Sequence, residues 1–131
     1  MAFSLPIDVR FSDLDALGHV NHAVFISYLE HARQRWWQLL LRDRPFEEDG
    51  FLMARVEIDY RKPIGLGDQV RVELRCTHLG HTSFALAYQV IRETDGAILA
   101  EAQTVQVMVD FASMRPRIQR PQTAAWLKTQ Q

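Results

Sequence analysis

A chain of 131 residues with 47% hydrophobic content can bury about two-thirds of its unfolded surface, so one soluble domain spanning residues 1–131 is expected and no covalent staple is needed. The formal net charge of -1 offers no electrostatic reason to expect nucleic acid or an anionic membrane as partner. Cys76 is the single cysteine, which excludes an internal disulfide; no stretch reaches membrane-spanning length, and Met1-Ala2-Phe3-Ser4-Leu5-Pro6 lacks the marks of a secretory leader, so a cytoplasmic location is expected.

Alternating apolar residues from Ile7 to Phe11 predict a first strand. A polar corner follows, with two aspartates, a glycine, two histidines and an asparagine between Asp13 and His22. Beyond it Phe25, Leu29, Ala32, Trp36 and Leu39 recur every three or four residues, the stripe of a helix over about His22 to Arg42. Asn21 stands at the N-cap, where its side-chain oxygen can accept a first-turn N–H. Trp36 and Trp37 point about 100° apart on a helix, so either the core stripe is wide or one of them faces another surface. Arg42 to Gly50 reads as a charged surface connection. Four strands are then expected over Phe51 to Arg61, Gln69 to Leu79, Thr82 to Glu93 and Ala97 to Phe111, separated by a Gly65-Leu66-Gly67-Asp68 turn, Gly80 and an Asp95-Gly96 hairpin. Gln122 to Lys128 predicts a short last helix.

One long helix with hairpin-linked strands indicates an α+β domain, an antiparallel sheet wrapped on that helix. A helix of about twenty residues is roughly 30 Å long, and strands of eleven to thirteen residues reach roughly 36 to 44 Å, so a twisted sheet can enclose it.

The corner carries the chemistry. The first N–H groups of a helix have no internal partner and sit at the positive end of its dipole, a place for a negative oxygen. Asp15 can lie close to that point across the Gly18 turn. A carboxylate beside free N–H donors is the equipment for hydrolysing an acyl bond.

The segment Asp13-Leu14-Asp15-Ala16-Leu17-Gly18-His19-Val20-Asn21-His22, followed by Tyr28-Leu29-Glu30-His31-Ala32-Arg33, resembles the signature of hotdog-fold acyl-CoA thioesterases of the 4-hydroxybenzoyl-CoA thioesterase type. The likeness continues through Tyr60-Arg61-Lys62-Pro63-Ile64, Gly67-Asp68-Gln69-Val70, Gly80-His81-Thr82-Ser83-Phe84 and Arg115-Pro116. It implies the hotdog fold, about five strands around one central helix. It also implies acyl-CoA as substrate, with coenzyme A entering as part of the substrate and no separate cofactor. A homodimer or a tetramer of dimers follows from it, with active sites at the subunit boundary.

The resemblance places Asp15 in the catalytic slot as nucleophile or general base. Without it, an aspartate flanking a turn reads as a structural cap of nearby amides; Asp13 keeps that reading, as a turn residue or a support for the site. His22 is expected to offer its backbone N–H to the oxyanion and its ring to water or to Asp15. Gly18 serves a positive φ or a close backbone approach. Gly18, His19, Val20 and Asn21 would border the substrate, and Phe25, Tyr28 and Tyr60 would line the acyl pocket, unless they only fill the core. Arg61 and Lys62 are candidates for the phosphates of coenzyme A, against the ordinary reading of solvated surface charges. Gly80-His81-Thr82 stands where some relatives carry basic residues. Glu30 is the rival acid or base, because another hotdog branch puts its carboxylate on the helix; pairing with Arg33 or Arg35 is its ordinary alternative. His19 and His22 form a His-x-x-His pair, but His19 precedes the cap and no Cys or further His sits nearby, so no metal is expected. A non-catalytic acyl-CoA binder, an acyl-thioester hydratase and a purely structural dimer are the competing functions.

Overall fold

The computed structural model describes residues 2–131. Strand β1 (Phe3–Ile7) comes first, then helix α1 (His22–Leu41), strands β2 (Phe51–Tyr60), β3 (Val70–Leu79), β4 (Ser83–Arg92) and β5 (Ile98–Asp110), a two-residue strand β6 (Arg115–Pro116), and helix α2 (Pro121–Thr129). Short 3-10 turns at Phe11–Asp13 and Phe46–Asp49 flank α1. The sheet runs β1-β3-β4-β5-β2, antiparallel throughout, with β6 beside β5. It curls around α1, which packs chiefly on β3 and β1. This is the hotdog arrangement implied by the family likeness.

Alternate residues of β3 and β4 are buried on the face turned to α1. Val70, Val72, Leu74 and Cys76 are buried on β3, as are Phe84, Leu86, Tyr88 and Val90 on β4. On β5 the inward set is Ala102, Thr104, Gln106 and Met108, while Val105 and Val107 lie half-buried on the outer face. Two polar residues lie among them, and their side chains are bonded except at Gln106 Oε1, which is buried and meets no donor among the described residues. The Thr104 hydroxyl bonds that of Tyr88 at 2.7 Å, and the Gln106 amide donates to the Phe84 carbonyl at 3.1 Å.

Three expectations are corrected. The first strand is Phe3–Ile7, not Ile7 to Phe11. Pro6 sits in it because β1 is a sheet edge, where a missing N–H is harmless, and Asp13 draws the Arg10 amide to its carboxylate, turning the chain out of extension. Leu39 is exposed, while Leu40 and Leu41 are buried and Arg42 caps the helix end outside it. The stripe steps by four after Trp36, following the 3.6-residue turn. The connection after α1 is not wholly a surface segment either. Asp49 is 1% exposed, its carboxylate accepting from Arg44 at 2.7 Å and from the Thr123 hydroxyl at 2.9 Å.

Both tryptophans are core. Trp37 stacks on Phe84 with ring centroids 5.3 Å apart, and Trp36 meets Trp126 of α2 at 4.9 Å. Their indole N–H groups donate to the Asp49 carbonyl and the Gln130 side chain. The stripe is therefore wide because α2 covers its flank. At the other edge β2 pairs with no strand but β5 among the described residues, and Leu52, Met53, Val56 and Tyr60 are all exposed.

Candidate active site

The corner is a miniature antiparallel strap. The Asp15 amide donates to the His19 carbonyl at 2.8 Å, the Asn21 amide donates to the Asp13 carbonyl at 2.9 Å, and Leu14 bridges Val20 between them. The strap is tied to the β2–β3 connection: the Val20 amide donates to the Ile64 carbonyl at 2.8 Å, and His19 bridges Gly65. At its tip the Gly18 amide closes a turn onto the Asp15 carbonyl, with Gly18 at φ 79°. A Cβ there would meet nothing within 4 Å, so the backbone conformation, not crowding, selects glycine.

Asp15 is exposed. One carboxylate oxygen, Oδ1, accepts from the Leu17 amide at 2.9 Å and the His19 amide at 3.3 Å. No donor among the described residues meets Oδ2. The side chain is thus oriented through one oxygen and has the other open to a reactant. Asp15 stands opposite His19, three residues before the first residue of α1.

Asn21 caps α1, its Oδ1 accepting from the Ala23 amide at 2.9 Å, while the Val24 amide bonds the Asn21 carbonyl. The His22 amide meets no acceptor among the described residues, and the His22 ring is exposed. The Tyr60 hydroxyl donates to the His22 carbonyl at 2.7 Å, and the Tyr60 ring meets Phe25 edge-on at 5.0 Å and His22 at 6.4 Å. The end of β2 is thereby fastened to the first turn of α1. Partial burial raises the Tyr60 phenol above its ordinary pKa.

Asp15, Gly18, His19 and His22 share the exposed lip of the corner, with Asn21 half-buried as the cap. Arg61 and Lys62 lie on the adjoining connection, both exposed. Arg61 pairs with Glu101 at 3.2 Å, whereas Lys62 has no ion-pair partner among the described residues. Val20 and Phe25 are buried beneath the lip. Tyr28 is 5% exposed and its hydroxyl donates to the Asp13 carboxylate at 2.7 Å, so within the chain it fills the core. Glu30 points to solvent a little over two turns into α1 and forms no ion pair with Arg33 or Arg35. Arg33 is instead buried, donating to the Tyr88 hydroxyl at 3.1 Å. Among the described residues no group of three or more His, Cys, Asp or Glu is placed to hold a metal, and no helix is long and apolar enough to cross a membrane.

Sequence reasoning missed the Asp13–Tyr28 bond, although both residues are in the motifs singled out. It also missed the tie from Ile64, whose apolar side chain before Gly65 was its only signal.

The family model of the Thioesterase-like superfamily matches residues 9–127, taking in the corner, the central helix and every strand of the sheet but β1. This chain belongs to that superfamily. It is 27% identical over 122 residues to the acyl-CoA thioester hydrolase YbgC of Escherichia coli, an alignment covering 88% of this chain and 87% of the other. A thioesterase structure from Thermus thermophilus, described as complexed with coenzyme A and Zn, is 38% identical with a TM-score of 0.86, covering 96% of this chain and 91% of that one. A structure from Bacillus stearothermophilus described as a predicted thioesterase has a TM-score of 0.92 at 24% identity over 99% of this chain and 96% of its own, a likeness of fold.

Proposed function

We propose that this protein hydrolyses acyl-CoA thioesters to a free acid and coenzyme A, with Asp15 as the reacting carboxylate and the start of α1 as the oxyanion site. The observation that carries it is a half-held carboxylate and a free helix-terminal amide on one corner: among the described residues Asp15 Oδ2 meets no donor and the His22 N–H no acceptor. The thioesterase relatives support the reaction class.

The thioester carbonyl docks with its oxygen at the His22 N–H, which stabilises the charge that develops there. Asp15 then either attacks the carbonyl carbon, expelling coenzyme A thiolate and leaving a mixed anhydride that water cleaves, or takes a proton from the attacking water. The His22 ring is within the same exposed lip and orients the water. Gly18, His19, Val20 and Asn21 form the wall on that side, and Phe25 and Tyr60 the apolar wall. Tyr28 stands behind that wall. Lys62, with Arg61, faces the phosphates of coenzyme A, and no cofactor beyond the substrate is invoked. The working unit is a homodimer, or a tetramer of dimers, built through β2, whose free edge and exposed Leu52, Met53 and Val56 await a partner. A cytoplasmic location fits the lone cysteine, which is buried.

Asp15→Asn keeps the amide-accepting oxygen and removes the reacting charge. Turnover is expected to fall at least about a hundredfold with fold and assembly retained, measured as thiol release from a panel of acyl-CoA thioesters. Normal hydrolysis by Asp15→Asn together with loss in Glu30→Gln would transfer the role to Glu30. Absence of released coenzyme A from the whole panel would favour the binder or the hydratase instead. Single turnover in ¹⁸O water separates the routes: label in the Asp15 carboxylate marks attack by the side chain.

A further inference from the structure

The most heavily bonded carboxylate near the corner is not Asp15. Asp13 is 2% exposed, and its two oxygens receive three groups: the Tyr28 hydroxyl at 2.7 Å and the Arg10 amide at 3.0 Å on Oδ2, and the Arg10 guanidinium at 3.0 Å on Oδ1. Its backbone is engaged as well. The Asp13 carbonyl accepts the amide of Asn21, the residue that caps α1, and the Asp13 amide donates to the Arg10 carbonyl. One residue is therefore bonded through its side chain to the second turn of α1 and through its main chain to the cap, while Asp15 follows two positions later.

We propose that Asp13 and Tyr28 are positioning residues of the thioesterase reaction, a buried hydrogen-bonded strut that sets where the Asp15 carboxylate stands relative to the free amide of His22. The inference rests on the function proposed above.

The geometry favours a strut over a general fold anchor. Beyond its bonds to Arg10 and Phe11 just before it, the strap from Asp13 to Asn21 is tied at its far end by the Asn21 cap, which accepts from the Ala23 and Val24 amides of α1, and at two further places. One is Val20 and His19 on the β2–β3 connection, the other Asp13 on Tyr28. The first fixes the strap beside the sheet. The cap refers the far end of the strap to the start of α1, which supplies the oxyanion amide, and the bond to Tyr28 refers the near end, where Asp15 follows, to the second turn of the same helix. With Asn21 fixed as the cap, a hinge of the Asp13–Asp15 end about the Val20–Ile64 tie would move Asp15 relative to the His22 amide, and the bond from Tyr28 to Asp13 opposes that hinge. A buried pair of this kind is short and specific because leaving either partner unmet would be costly. Misplacement of a reacting group by about 1 Å can cost as much as about a hundredfold in rate, so the strut has leverage on the chemistry without touching it.

Tyr28→Phe removes one oxygen from a side chain that otherwise stays packed, and Asp13→Asn keeps an acceptor for Tyr28 while discarding the charge held by Arg10. Each variant is assayed for thiol release over a range of acyl-CoA concentrations, with thermal unfolding and ¹⁵N–¹H spectra in parallel. Tyr28→Phe is expected to unfold within a few degrees of the parent, to lower kcat about ten- to a hundredfold with KM within about twofold, and to move the Asn21 and His22 amide resonances. The double variant is expected to be no slower than the slower single one, because both cut the same link. An unchanged kcat in folded Tyr28→Phe, or a change confined to KM, overturns the inference. Asp15→Asn run alongside separates the two levels. An inactive Asp15→Asn with fully active Tyr28→Phe and Asp13→Asn leaves the proposed function standing and removes the strut; an active Asp15→Asn removes the function on which the strut depends.

Discussion

At the residue scale, the two aspartates of the corner stand in opposite surroundings, Asp13 buried and Asp15 exposed. Burial pushes the Asp13 carboxyl up, but the Tyr28 hydroxyl and the Arg10 amide and guanidinium outweigh it, and the group ends below its ordinary value. Tyr28 is raised by burial first and by Asp13 second. A carboxylate held down stabilises the fold above its unfolded pKa of about 3.9 and ceases to do so as pH falls through its lowered native value. Melting temperature is therefore expected to drop below about pH 4, and Tyr28→Phe should shrink that acid arm; an identical arm in both proteins would mean that Asp13 gains nothing from the hydroxyl. Asp95 offers a simpler check. The Arg92 guanidinium, with the Ala97 amide, holds its carboxyl down to about 2 in the β4–β5 turn. Titration followed by ¹³C NMR should read that value, and Arg92→Gln should return it toward about 3.9. The Asp95-Gly96 turn was legible from sequence, and so was the polar corner that carries Asp15 at the start of α1. The burial of Asp13 was not, because two aspartates two residues apart look alike until the chain places one inside and one outside.

At the element scale, α2 is held less by its own sequence than by Asp49. Its nine residues are too few to be stable alone. Arg44 from the connection after α1, the Thr123 hydroxyl of α2, and Arg117 and Arg120 from the segment leading into it converge on this one carboxylate. Trp36 and Trp37 complete the joint through Trp126. Asp49→Ala is expected to lower the denaturant midpoint by an amount equivalent to about 1–3 kcal/mol and to speed amide exchange across 121–129 more than across β3 and β4. Equal exchange everywhere would show that the aspartate stabilises the whole fold rather than this element. The helix itself was legible as a pattern of polar and apolar residues. Its latch was not, since Glu47-Glu48-Asp49 reads as a solvated acidic run and nothing local distinguishes the third acid.

At the scale of the whole molecule, the sheet has two edges of different character. β1 is short, half-buried and carries Pro6, which blunts it. β2 has ten residues, is largely exposed, and brings Tyr60 to the site at one end. Val56→Glu, in the middle of that edge, is expected to convert the proposed dimer toward monomer in sedimentation and to reduce thiol release with it. A dimer that persists unchanged would place the subunit boundary elsewhere. The order of elements, the antiparallel pairing and the inward faces of β3 and β4 were determined by the sequence alone, because apolar period and turn residues are local properties of the chain. What only the tertiary structure decided were the contacts between segments far apart in sequence: Val20 on Ile64, Tyr60 on His22, Arg44 and Thr123 on Asp49, and Tyr28 on Asp13. Burial and hydrogen bonding at those positions depend on which surfaces meet once the sheet has curled around α1, and no periodicity encodes that meeting.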